Sequence, residues 1–161
     1  MARIEETGQA LDVLRRLTPA LRRFARALAV GRTRVAAGDE LVAQALEAVR
    51  HRRHGAEADL RMGLYASVVQ FNRLRSTAGA ADPPAARRAL RVGIAPDLEL
   101  LALEEREALL LVVLEGFSYA EAASVLGLPR SSVVARLLRA RAALGGEAAA
   151  PPRAPHLRVV K

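Results

Sequence analysis

The sequence contains no cysteine and no tryptophan, a single lysine, and only five other aromatic residues, two tyrosines and three phenylalanines. Without cysteine there are no disulfides and no thiolate metal sites, which suits a reducing compartment. With aromatics at 3% and hydrophobic residues at 52%, any core must be built from Leu, Ala and Val. β-Branched runs are few and strong helix formers abundant, so the expected fold is all-α. Long apolar runs are missing too. The longest, ALLLVVL at 108–114, is too short to cross a bilayer. The opening MARIEETGQALDVL lacks the apolar core of a signal peptide. These absences lead us to expect a soluble cytoplasmic protein with no membrane insertion.

What is present is charge, unevenly spread over the 161 residues, with a formal net of +8. Residues 1–80 hold 14 Arg against 8 acids, a net of +6. Residues 97–127 hold one Arg and seven acids, a net of −6, and residues 128–144 hold four Arg and no acid. Such asymmetry suits nucleic acid or an acidic protein partner, although Arg on solvated faces would look the same.

The pattern divides the chain into a helical bundle at 1–75, a linker at 76–96, a second helical unit at 97–144 and a flexible tail at 145–161. The linker STAGAADPPAARRALRVGIAP is rich in Ala, Gly and Pro and has no sustained apolar period, so we read it as flexible. In the first unit, Thr18-Pro19 predicts a helix start. Leu21, Phe24 and Leu28 mark its apolar face, and Gly31 its stop. Asp39 is placed to cap a second helix carrying Leu41, Val42, Ala45, Leu46 and Val49. A third helix is expected from about Asp59 to Arg75, with Leu60, Leu64, Val68 and Phe71 on one stripe.

In the second unit a helix is expected from about Leu103 to Glu115, stopped by Gly116 in the left-handed conformation. Ser118 and Glu121 form a capping box for the next helix, which ends at Gly127. Ser131 or Ser132 would cap a last helix reaching about Leu144. Helix, short glycine-containing turn, helix is helix-turn-helix geometry. On this reading Val133, Leu137, Ala140 and Leu144 face inward, and Ser131, Ser132, Ala135, Arg136 and Arg139 face outward. The outer face, with Arg130 before it, suits guanine edges and phosphates. A plain helical hairpin with a solvated Arg face is the competing reading.

The segment 105–144, with REALLL, EGFSYAEAA, VLGLP and RLLRARAAL, resembles region 4 of the extracytoplasmic-function sigma factors of the sigma-70 family. The resemblance implies that the last helix binds a promoter −35 element through Arg130, Ser131, Ser132, Arg136 and Arg139. It departs where the family has Gly-Thr-Val-Lys/Arg-Ser-Arg and this chain has Ser131-Ser132-Val133-Val134-Ala135-Arg136. ALRRFARAL, GDELVAQALEAV and DLRMGLYASVVQFNRLR are similar to region 2 of the same family. That likeness implies a surface for polymerase or an anti-sigma factor around Arg22, Arg26, Asp39, Leu41, Val42, Leu46 and Tyr65. The family's Trp is Gly63 here, and Val69-Gln70 replace an Arg-Asn pair. Tyr65, Phe71, Arg61, Arg73 and Arg75 remain as possible base-capture groups.

GDELVAQALEAV and GLYASVV also resemble the sigma-like domain of PhyR-type regulators of the general stress response. That domain imitates a sigma factor and sequesters a small anti-sigma. Two functions therefore follow from the resemblances. The chain could be a sigma factor that binds the RNA polymerase core and promoter DNA to direct initiation. It could instead be a mimic that binds an anti-sigma factor.

His51 and His54 in HRRH lack a third ligand nearby and read as an exposed pair. Glu104, Glu105 and Glu107 suit a helix N-terminus rather than a catalytic dyad. No phosphate loop or nucleophile motif is present. The expectation is a regulator that is not an enzyme, with no cofactor, metal or small-molecule substrate.

Overall fold

A computed structural model describes residues 2–30, 37–50, 56–78 and 96–145, with the side chains of 2–10, 50, 77–78 and 96–97 left aside. The histidines at 51 and 54, Gly31, most of the expected linker and the tail beyond 145 lie outside the described residues. Those described are all-α. Three helices form the first half: α1 (Ala2–Leu28), α2 (Ala37–Arg50) and α3 (Glu57–Ala78). A 3-10 turn (Pro96–Leu100) leads into the second half. There α4 (Leu103–Leu109) runs on into a π-turn (Leu110–Leu114), followed by α5 (Tyr119–Leu126) and α6 (Arg130–Gly145).

The expected helix start at Thr18-Pro19 is corrected: α1 passes straight through, with Pro19 in its interior. Proline there removes one backbone hydrogen bond and typically costs about 3 kcal/mol. Two features offset it. The Thr18 hydroxyl donates to the Leu14 carbonyl at 2.6 Å. Val13 and Leu21 are both buried, one on each side of the proline, so a single apolar stripe spans it. Tertiary packing of that stripe overrides the local signal.

α2 begins two residues before Asp39, which is therefore a first-turn acid and not the cap. Gly38 explains why. A Cβ there would lie 2.8 Å from the Arg26 Cα, so α2 enters against the backbone of α1 at a distance only glycine permits. The approach brings both Asp39 carboxylate oxygens onto the Arg26 guanidinium at 3.0 and 2.9 Å. α3 is tied back to its neighbours by Arg16 on Glu57 and by Arg75 on Glu40.

The second half follows its local signals closely. Gly116 and Gly127, the two expected stops, have φ of 68° and 67°, so both are left-handed, as expected for Gly116. The Ser118 hydroxyl accepts from the Glu121 N–H at 3.2 Å, and the Glu121 carboxylate accepts from the Ser118 N–H at 2.8 Å. Hydrogen bonds from the Ser118 hydroxyl and N–H hold the Glu121 carboxyl below its usual range. The start of α6 is corrected. Its first turn closes on the Pro129 carbonyl, which accepts from the Ser132 N–H at 3.0 Å, so Ser131 and Ser132 lie inside the helix.

The two halves share one buried cluster. It runs from Val13, Leu21 and Phe24 through Leu64 and Val68 to Ala108, Leu111, Phe117, Ala122 and Val133. α3 packs on α5, and α1 on the π-turn.

Candidate functional site

The junction of the halves is built around three rings. Phe24 of α1, Tyr65 of α3 and Phe117 from the loop after the π-turn stack edge to face, with centroids 5.0 Å apart at each step. This geometry puts ring edges against ring faces, the favoured arrangement for aromatic pairs. The Arg61 guanidinium lies 3.9 Å from the Phe117 centroid, a cation–π contact.

Glu115 closes the stack. Its side chain is 3% exposed, and the residue has three partners from the first half, two on the carboxylate and one on the backbone. The Tyr65 hydroxyl donates to its carboxylate at 2.6 Å, Arg23 donates to the other carboxylate oxygen at 3.1 Å, and Arg61 donates to its backbone carbonyl at 2.6 Å. Burial, with the Glu115 carboxylate beside it, pushes the Tyr65 phenol well above its ordinary value.

Two further ties flank it. Arg106 of α4 donates to the Leu28 and Val30 carbonyls at 3.4 and 2.9 Å, satisfying acceptors that the end of α1 leaves open. Glu107, fully buried, takes both donors of Arg73 at 2.8 and 2.6 Å. Arg61 and Arg73, read from the sequence as base-capture remnants, are thus occupied with the second half. Glu107, Glu115, Arg106 and Phe117 had not been singled out for the site. Their signal was the charge map: a −6 segment facing a +6 segment in the same chain.

The outer helix α6 departs from expectation at its centre. Arg136, expected outward, has a side chain only 13% exposed, with its guanidinium 3.5 Å from Glu104 and 3.8 Å from Glu107. It lies one turn from both Val133 and Ala140, which are fully buried, so helical periodicity puts it at the edge of the inner face. Arg139 remains half-exposed, but its Nε donates to Glu105 at 3.1 Å. Arg130 and Ser131 are exposed, and Ser132, Val134 and Ala135 are half-buried. Arg130 lies over the Tyr119 ring at 5.9 Å. Leu138 is 63% exposed, and Leu144, expected inward, is exposed at 38% because α6 runs past the elements that cover its earlier turns.

The groups expected to meet a partner on the first half divide. Leu41, Val42 and Tyr65 are buried in the core, a correction to their expected place on a surface; their stripe is the face α2 and α3 present inward. Arg22, Arg26 and Asp39 stay accessible, and Leu46 is half-covered. Beside them a groove of about 570 Å³ runs between α1 and the π-turn, lined by Pro19, Arg22, Arg23 and Arg26 on one side and Leu98, Leu110 and Leu114 on the other. Among the described residues no three potential metal ligands converge, and no helix is long and apolar enough to cross a membrane.

Two family models match this architecture half by half. Residues 9–69 match the sigma2 domain of PhyR, and residues 98–144 match sigma-70 region 4. The chain is sigma-like, with PhyR features. The families concerned are regulators. Its fold is similar to the PhyR sigma-like domain of Sphingomonas sp. Fr1, solved with NepR, at 27% identity and a TM-score of 0.60, covering 90% of this chain and 94% of that one. It is also similar to the anti-anti-sigma factor PhyR of Bartonella quintana, solved with the anti-sigma factor NepR, at 22% identity and a TM-score of 0.60. The match covers 85% of this sigma-like chain and about half, 49%, of that PhyR. The sigma factor RpoE of Bartonella quintana, also solved with NepR, is similar at 24% identity and a TM-score of 0.58, with 88% and 95% covered. At these last two identities the likeness is one of fold. No curated protein matches the sequence closely enough to count as a relative.

Proposed function

We propose that this sigma-like chain is a protein-binding mimic that captures a small anti-sigma factor of the NepR kind. The observation that carries the proposal is the state of the reading helix. Arg136 and Arg139, which a groove reader would turn to phosphates and guanines, are engaged with Glu104, Glu105 and Glu107 of the chain's own α4. Val134 and Ala135 add no polar group beside them, and the exposed Leu138 suits protein contact better than DNA. The structures of similar fold support the partner class, since PhyR and RpoE were each solved with NepR. The groove between α1 and the π-turn would seat an apolar segment of the partner, with acids meeting Arg22, Arg23 and Arg26 on its rim.

A second reading, a sigma factor that binds polymerase core and a −35 element, is favoured by Arg130 and Ser131. Both stay exposed at the start of α6, where such a helix enters the major groove.

Affinity capture from cell lysate followed by mass spectrometry separates the two. The mimic recovers a small anti-sigma and no polymerase subunits. The purified chain then gives no salt-dependent, sequence-selective shift of promoter duplex. Recovery of core polymerase, together with a DNA shift that weakens steeply with salt, would establish the sigma factor and end the mimic.

A further inference from the structure

The Glu107 carboxylate has two arginines beside it and satisfies one. Glu107 is fully buried on α4, and Arg73 of the first half takes both its oxygens. Arg136 of α6, on the same half as Glu107, stands 3.8 Å away, beyond hydrogen-bonding range. Its Nη1 is buried and makes no hydrogen bond, while its other terminal nitrogen, Nη2, stands 3.5 Å from Glu104. A buried guanidinium nitrogen left this way is costly, and the acceptor that would relieve it is held by a rival from across the junction.

We propose that Glu107 is a partner-exchange switch: closed halves pair it with Arg73, and separated halves pair it with Arg136. Separation by itself would strip a buried carboxylate of its partner, which is a severe penalty. Arg136 stands ready to take over, because it belongs to the half that keeps Glu107. Opening then trades one bidentate pair for another and relieves the unsatisfied Nη1. The device makes the junction cheap to open while leaving it well paired when shut. It also ties opening to α6, since a closer Arg136–Glu107 pair draws the middle of that helix toward α4. The inference concerns the chain alone and does not depend on which partner binds.

The absence of cysteine makes a direct test available. Spin labels at Gln44→Cys on α2 and Ser124→Cys on α5, both exposed positions, report the distance between the halves by pulsed electron resonance. The measurements use the full chain carrying Glu115→Gln to weaken the junction, in urea raised until two distances coexist while the helical dichroism is intact. Arg73→Met should raise the open-to-closed ratio by roughly tenfold or more, the worth of a charge-assisted hydrogen bond. Arg136→Met should lower it by roughly tenfold, because it removes the partner waiting in the open state.

That opposite sign is diagnostic. An arginine that merely supported the second half would leave the ratio unchanged, and one that helped hold the halves shut would raise it; either result overturns the proposal. If Arg136→Met loses helical dichroism, Arg136→Lys, which keeps the charge and can donate singly, should lower the ratio by a few-fold. An unchanged ratio in that variant is equally fatal, as is a single distance up to the point of unfolding.

Discussion

Tyr65→Phe isolates the hydroxyl at the junction of the halves. The substitution keeps both ring stacks, to Phe24 and to Phe117, and deletes one donor. That donor lies 2.6 Å from a carboxylate oxygen of Glu115, whose side chain is 3% exposed, so no bulk water replaces it freely. Hydrogen bonds to charged groups contribute about 1.5–3 kcal/mol. Glu115 retains Arg23, which places the expected loss near the middle, about 2 kcal/mol. At roughly 2–4 °C per kcal/mol for a chain of this size, the melting temperature should fall by about 4–8 °C. The assay is paired thermal and urea unfolding followed by far-ultraviolet dichroism, with Glu115→Gln and the double variant completing a cycle. A coupling energy of more than about 1 kcal/mol is expected between the two positions. A loss below about 0.5 kcal/mol, or additive single losses, would refute the idea that this hydroxyl and carboxylate lock the halves together.

The same pair predicts a pH dependence. The Tyr65 phenol is raised when folded, so its contribution is complete below the unfolded phenol value of about 10 and is lost as pH climbs above it. Urea midpoints from pH 8 to 11 should therefore decline above pH 10, and in Tyr65→Phe that part of the decline should be absent. Gly38→Ala forces a Cβ to 2.8 Å from the Arg26 Cα and should cost about 1–3 kcal/mol in urea unfolding, whereas Gly63→Ala, inside α3 with open space around it, should stabilise by about 0.5–1 kcal/mol. Gly127→Ala meets no atom, so its cost of about 1–2 kcal/mol should be conformational alone and should match Gly116→Ala in urea unfolding. Glu107→Gln breaks the bidentate pair with Arg73 at a buried site and should lose about 3 kcal/mol, more than Glu105→Gln, whose partner Arg139 is half-exposed.

Local chemistry was legible where one element decides its own end. Gly116, Gly127 and the Ser118–Glu121 box could be read directly, because a left-handed turn or a reciprocal cap involves only neighbours in sequence. Pro19 was misread because the same residue starts most helices it enters; only the stripe that Val13 and Leu21 bury against other helices keeps α1 intact across it. Arg136 was misread for a related reason. Helical spacing puts it at the margin of the inner face, and which side of the margin it takes depends on Glu104 and Glu107 coming from another helix. The charge asymmetry was real but its target was misjudged. It pointed to an external acidic or nucleic partner, and much of it is used inside the chain, by Arg23 on Glu115, Arg73 on Glu107 and Arg139 on Glu105.

The π-turn at Leu110–Leu114 carries one more residue than an α-helix would use over the same rise, and it sits immediately before Glu115. The wide turn takes up that residue locally, and its last bond runs from the Glu115 N–H to the Leu110 carbonyl at 3.1 Å. Glu115 and Phe117, the two groups that clasp the first half, therefore leave the backbone where its hydrogen-bond ladder is loosest. The clasp hangs from a widened coil and not from a rigid rod.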